Sequence, residues 1–352
     1  MQLGQCTFLG LVLCFTVGCG STSKPDLEQP KELVEIQASV ELPSTQKDPG
    51  PVELQEFCSA YESPGAVGFL EGDLLAEISG LVHSRRNPGI LWAHNDSGDS
   101  ARIYGIDLLG ALRAVVDLDG IQAVDFEDIG TGRCPNSENV CLWVADIGDN
   151  DRVRDFIKVH VFQDPEIDLT KTELQNSKTA LVRTFNFNYP ISPINAEAMV
   201  VSKDGRSLWI FEKTESGRSA RVYKSPVDLS VHVDQSPLML EEIGAFDAPG
   251  LNIPHGFKIT AADLHPSEKA LLIRTYPGFW QYSLESLDDL SQLNEVQSTI
   301  VALGPLTEPQ GEAIAFHIDG HSIWTLSEDP TSLGNQPLNQ TMCLSDGTET
   351  EE

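Results

Sequence analysis

The sequence predicts an all-β protein: a β-propeller of five or six four-stranded blades, its ring closed by an N-terminal strand. Three observations carry that prediction. Tryptophan recurs in one setting, as Trp92 in "GILWAHNDSG", Trp143 in "VCLWVADIGDN", Trp209 in "RSLWIFEKTESG" and Trp324 in "HSIWTLSED". Leu272 of "KALLIRTY" takes the same place in a fifth copy, and the steps between these anchors are 51, 66, 63 and 52 residues. Upstream of each anchor a second run begins, at Glu77 ("EISGLV"), Glu127 ("EDIGTG"), Glu197 ("EAMVVS"), Thr260 ("TAADLH") and Glu312 ("EAIAFH"). These runs are of strand length, alternating or β-branched, and turn-forming stretches such as "RRNPG", "SKDGR", "HPSEK" and "HIDGH" join them. Short runs and dense turns exclude helical solenoids. Four strands in about 50–60 residues is the period of propeller blades. One such unit cannot bury both of its faces, whereas a ring of units can.

Taken from the N-terminus, residues 1–18 read as a lipoprotein-type signal peptide. The apolar run in "MQLGQCTFLGLVLCFTVGCG" is about 10 residues, too short to span a bilayer as a helix. "TVGC" (Thr16–Cys19) is similar to the lipobox of bacterial lipoproteins, which implies cleavage before Cys19 and its acylation. The alternative is a plain cleaved signal with an incidental cysteine. Residues 19–64 form the expected lipid anchor and a disordered linker. They are rich in Ser, Pro, Lys, Glu and Gln, with too little apolar surface to offset chain entropy. Residues 65–343 hold the propeller and residues 344–352 an acidic tail.

The formal charge of −30 argues against nucleic acid or anionic lipid headgroups as partners, since both would be repelled. It suits solubility or cation binding. Four cysteines lie outside the signal, and an even number in an exported chain reads as disulfides. Cys134 and Cys141 flank the short loop "PNSENV", and Cys58 with Cys343 would tie the two ends of the folded body together. Residues 65–75 ("GAVGFLEGDLL") supply a strand to complete the last blade at that seam. The long second unit, with "DPEIDLTKTELQNSKTALVRTFNFNYP", leaves room for a sixth blade.

The repeated glutamate is the most specific candidate for chemistry. In a propeller, Glu77, Glu127, Glu197 and Glu312 would stand at one level of the central channel, where like charges raise one another's pKa unless a cation intervenes. Oxygen-rich acidic rings favour Ca²⁺. The alternative is a staple, each Glu accepting backbone N–H groups from the next blade. Asp96, Asp146, Asp149 and Asn150 lie in Asp/Asn/Gly-rich loops that would either coordinate the ion or form Asx turns. Polar residues also recur three places after each anchor: Asn95, Asp146, Glu212, Thr275 and Ser327. His94 and His255 are the candidate bases, and Asp263 and Arg274 mark the unit that breaks the pattern. No nucleophile elbow, phosphate-binding loop or His-Glu-x-x-His motif is present.

The stretches "EISGLVHSRRNPGILWAHNDSGDSARIYGIDLLGALRA", "DFEDIGTG", "LWVADIGDND", "INAEAMVV" and "ITAADLHPSEKALLIRTY" resemble exported bacterial β-propellers. Those are distantly similar to the phytase-like propellers and to the propellers named for SdiA regulation. The resemblance implies a calcium-rich channel. It also implies phosphomonoester hydrolysis, for which this chain offers few cations beyond Lys213 and Arg274 at the repeated strand ends. The expectation is therefore a lipid-anchored, extracytoplasmic propeller, periplasmic or on the outer membrane, serving as a calcium-stabilised binding or scaffold module. A small molecule or protein would sit at the channel mouth. The alternative is a metal-dependent hydrolase of phosphoesters or lactones, with Glu127, Asp96 and Asp146 holding the ion and His94 or His255 as base.

Overall fold

The repeated runs fold as strands, and each unit becomes one antiparallel four-stranded meander. The computed structural model describes residues 57–72, 74–214, 219–303, 308, 310–328 and 335–344. The expected signal peptide, Cys19 and most of the linker lie outside the described residues, as does the tail from residue 345. No α-helix occurs among the described residues, and no helix is long and apolar enough to cross a membrane. The protein is all-β.

In chain order β1 (Gly65–Glu71) comes first, but it belongs to the last sheet. The first unit is β2 (Ile78–His83), β3 (Ile90–Asn95), β4 (Arg102–Asp107) and β5 (Leu112–Asp119). The second is β6 (Phe126–Arg133), β7 (Val140–Asp146), β8 (Ile157–Gln163) and β9 (Gln175–Asn188). The third is β10 (Ala196–Val201), β11 (Leu208–Glu212), β12 (Ser219–Lys224) and, after the short β13 (Leu238–Met239), β14 (Glu241–Asp247). The fourth is β15 (Ile259–Leu264), β16 (Ala270–Thr275), β17 (Gly278–Ser283) and β18 (Ser298–Leu303). The fifth is β19 (Gly311–Phe316), β20 (Ser322–Ser327) and β21 (Asn335–Met342), completed by β1.

The first strand of each unit is buried almost throughout, so both its faces read as apolar or small residues rather than alternating ones. Each packs against two others: β2 against β6 and β19, β10 against β6 and β15, and β15 against β19. Five apolar clusters fill the gaps between sheets, one each between the first and second units, second and third, third and fourth, fourth and fifth, and fifth and first. The anchors Trp92, Trp143, Trp209 and Trp324 all lie in these clusters. That burial is the main stabilising term.

Polar staples cross the same gaps. Asp128 of β6 accepts from Met199 N of the third unit (2.8 Å) and Ala262 N of the fourth (3.3 Å). Asp263 of β15 accepts from Phe316 N of the fifth (2.8 Å). Asp164, just after β8, accepts from Ser84 Oγ, Arg85 N, Arg86 N and Trp92 Nε1 of the first unit. These aspartates all lie outside the repeated glutamate position.

The surplus residues of the second unit build no further sheet among the described residues. They feed β9, which is 14 residues long. Gln175–Ala180 of it run parallel to β5, and Leu181–Phe187 pair antiparallel with β8. The outer edges of the first two units are thereby joined into one hydrogen-bonded sheet.

Both expected disulfides form. Cys58–Cys343 spans a sequence separation of 285 and Cys134–Cys141 one of 7. The first lies beside the Tyr61–Cys343 bridge and the β1–β21 pairing, where the N-terminal strand completes the fifth sheet. Because chain-entropy stabilisation grows with loop length, replacing Cys58 and Cys343 by serine should cost about 5 kcal/mol, and replacing Cys134 and Cys141 only about 2 kcal/mol. Urea unfolding of the two double variants measures that order.

Candidate metal centre

Every first strand carries a β-bulge at its start. The register slips between Ile78 and Gly80, Phe126 and Asp128, Ala196 and Ala198, Ile259 and Ala261, and Gly311 and Ala313. A bulge turns one extra side chain off the pleat. The residues so turned are Ser79, Glu127, Glu197, Thr260 and Glu312, and all five are buried. Ser79 therefore occupies the place in the first unit that the glutamate holds in others. Glu77 lies two positions earlier, in register with Asp125, and is exposed.

The two hydroxyl copies act as staples: Ser79 Oγ donates to Glu127 O (2.8 Å) and Thr260 Oγ1 to Gly311 O (2.7 Å), each in the next unit. The three carboxylates meet side chains from two neighbouring levels. One level lies four residues after the anchors: Asp96, Ile147, Lys213, Tyr276 and Glu328. The other lies two residues before the bulges and includes Glu77 and Asp125. Backbone bonds tie the levels together, with Asp96 N to Glu77 O (2.7 Å) and Lys213 N to Asn195 O (3.0 Å).

Asp96, Asp125 and Glu127 each offer a carboxylate oxygen, and these atoms lie within 4.8 Å of one another. Glu127 is 2% exposed; Ser79 Oγ donates to its Oε2 (3.3 Å), while its Oε1 is buried with no hydrogen-bond partner. That unpartnered oxygen faces the cluster. A Cβ on Gly148 would lie 2.1 Å from Glu127 Oε1 and 2.4 Å from Asp125 Oδ2, so both oxygens crowd the one glycine. Burial, then the neighbouring Asp96, pushes the Asp125 carboxyl up to about 7. Burial, then Glu197 and Asp96, raises Glu127 well above the usual carboxylate range. An oxygen-only donor set carrying unrelieved negative charge fits a hard divalent cation such as Ca²⁺.

The other side of the acidic level carries its own cation. Lys213 is ion-paired with Glu197, donates to Tyr276 Oη (3.1 Å) and lies over the Tyr276 ring. Burial alone would lower the Lys213 ammonium, but Glu197 and Glu312 outweigh it and hold it above its ordinary value. Burial raises Glu197 to about 7 against the pull of Lys213, and raises Glu312 well above the usual range with Glu197 beside it. Glu328 is lifted to about 7 by burial, with Glu77 and Asp96 adding to it.

Of the remaining candidates, Asp146 is buried in an ion pair with Arg154 (2.7 Å) and accepts from Asp125 N (3.2 Å), supporting the cluster from behind. Asp149 accepts from Val153 N and Arg154 N in a local turn, and Asn150 accepts from Asn195. His94 is wholly buried, with Nδ1 against Asn95 O and Nε2 filling the space that Gly80 leaves. His255 sits exposed in the loop before β15 at φ 61°. Arg274 is buried against Glu308 (2.9 Å) and donates to Ala313 O. Asp125, Tyr276 and Glu328 escape a reading of the sequence. Their signal is the spacing to bulge and anchor, visible only once the bulge is known.

No protein-family profile matches the chain, and no curated protein matches it significantly. The packing at Gly148 gives a direct check on the cluster. Gly148→Ala should destabilise the protein by about 1–3 kcal/mol, since Glu127 and Asp125 must move to admit the methyl group. Thermal unfolding of the calcium-free variant measures it.

Proposed function

We propose that this chain is a five-bladed β-propeller, lipid-anchored outside the cytoplasm, that works as a calcium-stabilised binding or scaffold module. Five first strands that each pack on two others, with an apolar cluster in every gap, support the blade count and a closed ring. The observation that carries the calcium reading is the buried, unpartnered Glu127 Oε1 beside Asp96 and Asp125. When bound there, the ion would supply the positive charge that these oxygens lack. The residues themselves hold the loops of the first two units together at the acidic end.

Binding is favoured over hydrolysis by what surrounds the site. Lys213 and Arg274, the cations nearest to a phosphate-holding role, are both buried in ion pairs. His94 is packed where no water reaches it. At the same end of the strands, the connecting loops expose Leu74, Val124, Val153, Ile191 and Ile253. Ile191 is 80% and Val153 73% exposed. Exposed aliphatic residues gathered at one end of the strands are the kind of apolar surface that a binding partner covers. Anchoring through Cys19 rests on "TVGC": Cys19→Ser should move the protein from the membrane fraction to the soluble one and remove the acyl mass.

Calcium at about 100 times its dissociation constant should stabilise the protein by about 2.7 kcal/mol, a rise in Tm on the order of 5 °C. Glu127→Gln should abolish that rise. The effect depends on pH. Carboxylates raised in the fold, Asp125 and Glu197 to about 7, keep protons that the unfolded chain has already released. That stabilisation is full below the unfolded pKa and lost as pH rises through the folded one. Calcium requires the ionised forms, so its gain in Tm should be larger at pH 8 than at pH 5. Calorimetric scans with calcium and with chelator test all three, and equal scans would remove the calcium reading.

A further inference from the structure

We propose that the loops leading into the first strands form a docking surface for a basic polypeptide segment that carries aliphatic side chains. This rests on the binding-module reading above and names its partner; it does not need the calcium ion.

Exposed aliphatic residues recur at this end in step with the repeat. Leu74 precedes β2, Val124 precedes β6, Ile191 precedes β10 and Ile253 precedes β15. They are 48%, 53%, 80% and 53% exposed. The turns at the opposite ends of the same strands are polar instead, as in "SRRN" (84–87), "SKDG" (202–205) and "HPSE" (265–268). Water alone therefore does not call for aliphatic residues in the connections of this chain, whereas a partner that covers them gains their burial. Four units contribute one each, so the partner must offer several apolar side chains. The charge of the same loops selects its sign. Glu77 follows Leu74 and Asp125 follows Val124, Asp96 N donates to Glu77 O (2.7 Å), and the buried Glu127 keeps its Oε1 without a partner. Lys213 and Arg154 are engaged by Glu197 and Asp146 instead. Anionic lipid and nucleic acid would be repelled from this end, and a second copy would set one acidic face against another. A basic segment is drawn to it, and its aliphatic side chains then cover the four residues.

Fluorescence anisotropy of a labelled synthetic peptide of mixed leucine and lysine, titrated with the full chain in chelator, tests this. Peptides with serine in place of the leucines, or glutamate in place of the lysines, are the controls. The leucine–lysine peptide should bind about tenfold more tightly than the serine–lysine one, and the leucine–glutamate peptide should not bind. Ile191→Ser combined with Ile253→Ser should weaken leucine–lysine binding by about tenfold with Tm unchanged. Ile300→Ser, on the outer strand β18 of the fourth unit and 57% exposed, should leave it as in the wild type. Absent binding of the leucine–lysine peptide overturns the inference, as does equal binding of the serine–lysine peptide. A combined variant that binds as the wild type does overturns it too. Because the titration is run in chelator, its failure leaves the calcium reading to be decided by the calorimetric scans alone.

Discussion

Charge held away from water at the start of the first strands is the constraint on which the rest of this structure depends. The bulge is its cause. Without the extra residue, Glu127, Glu197 and Glu312 would lie within the pleat and stack into an apolar gap between sheets. With it, each is turned out at one end of its strand, still buried but beside other polar groups. A buried carboxylate without a counter-charge is costly, and two solutions are found among the equivalent places. The first and fourth units use a hydroxyl and avoid the charge. The third supplies a lysine. The second has neither, and its glutamate keeps an oxygen without a partner.

Such an arrangement needs a body that does not relax to relieve it. The apolar clusters between sheets supply most of that resistance, since a large indole or phenyl group from one unit fills each space left by small residues on the next strand. The aspartate staples supply direction. Asp128 holds backbone N–H groups of two other units at once, and that many hydrogen bonds to one carboxylate fix the relative height of three first strands. Burial nevertheless raises Asp128 well above the usual carboxylate range against the pull of these N–H groups. Stability from the gaps is spent on holding these carboxylates in place.

The all-β class, the strand runs of each unit, both disulfides and the place of β1 in the last sheet were legible in the sequence, because each rests on local pattern: alternation, turn residues and cysteine positions. The acidic level was legible only in part. Aligning "EISGLV" with "EDIGTG" by their glutamates is natural on paper, yet pairing to β3 and β7 puts Ile78 level with Phe126, so Ser79 and not Glu77 matches Glu127. A bulge adds a residue without changing composition, and the two-residue offset between Glu77 and Ser79 preserves the strand alternation, so pattern reading does not reveal it. Asp125 was hidden for the same reason. The excess length of the second unit is legible too, but a strand that runs beyond its own sheet to pair with the preceding one cannot be told from an extra unit by length alone.

That strand bears on why the close group of three carboxylates lies between the first two units and nowhere else among the described residues. Asp96 belongs to the first unit, and Asp125 and Glu127 to the second, so the cluster exists only if those two sheets keep their spacing. They are joined three times over: by β5 with β9 at the outer edge, by Asp164 at the far end of the strands, and by Ser79 Oγ to Glu127 O beside the cluster itself. The length of the parallel pairing distinguishes this interface: β5 and β9 pair over six residues, whereas the second and third units share only the two-residue pairing of β9 with β13. Three like charges from two sheets would push an ordinary interface apart. Here the ladder and the Asp164 clamp oppose that push, so the protein's own contacts keep the oxygens close together.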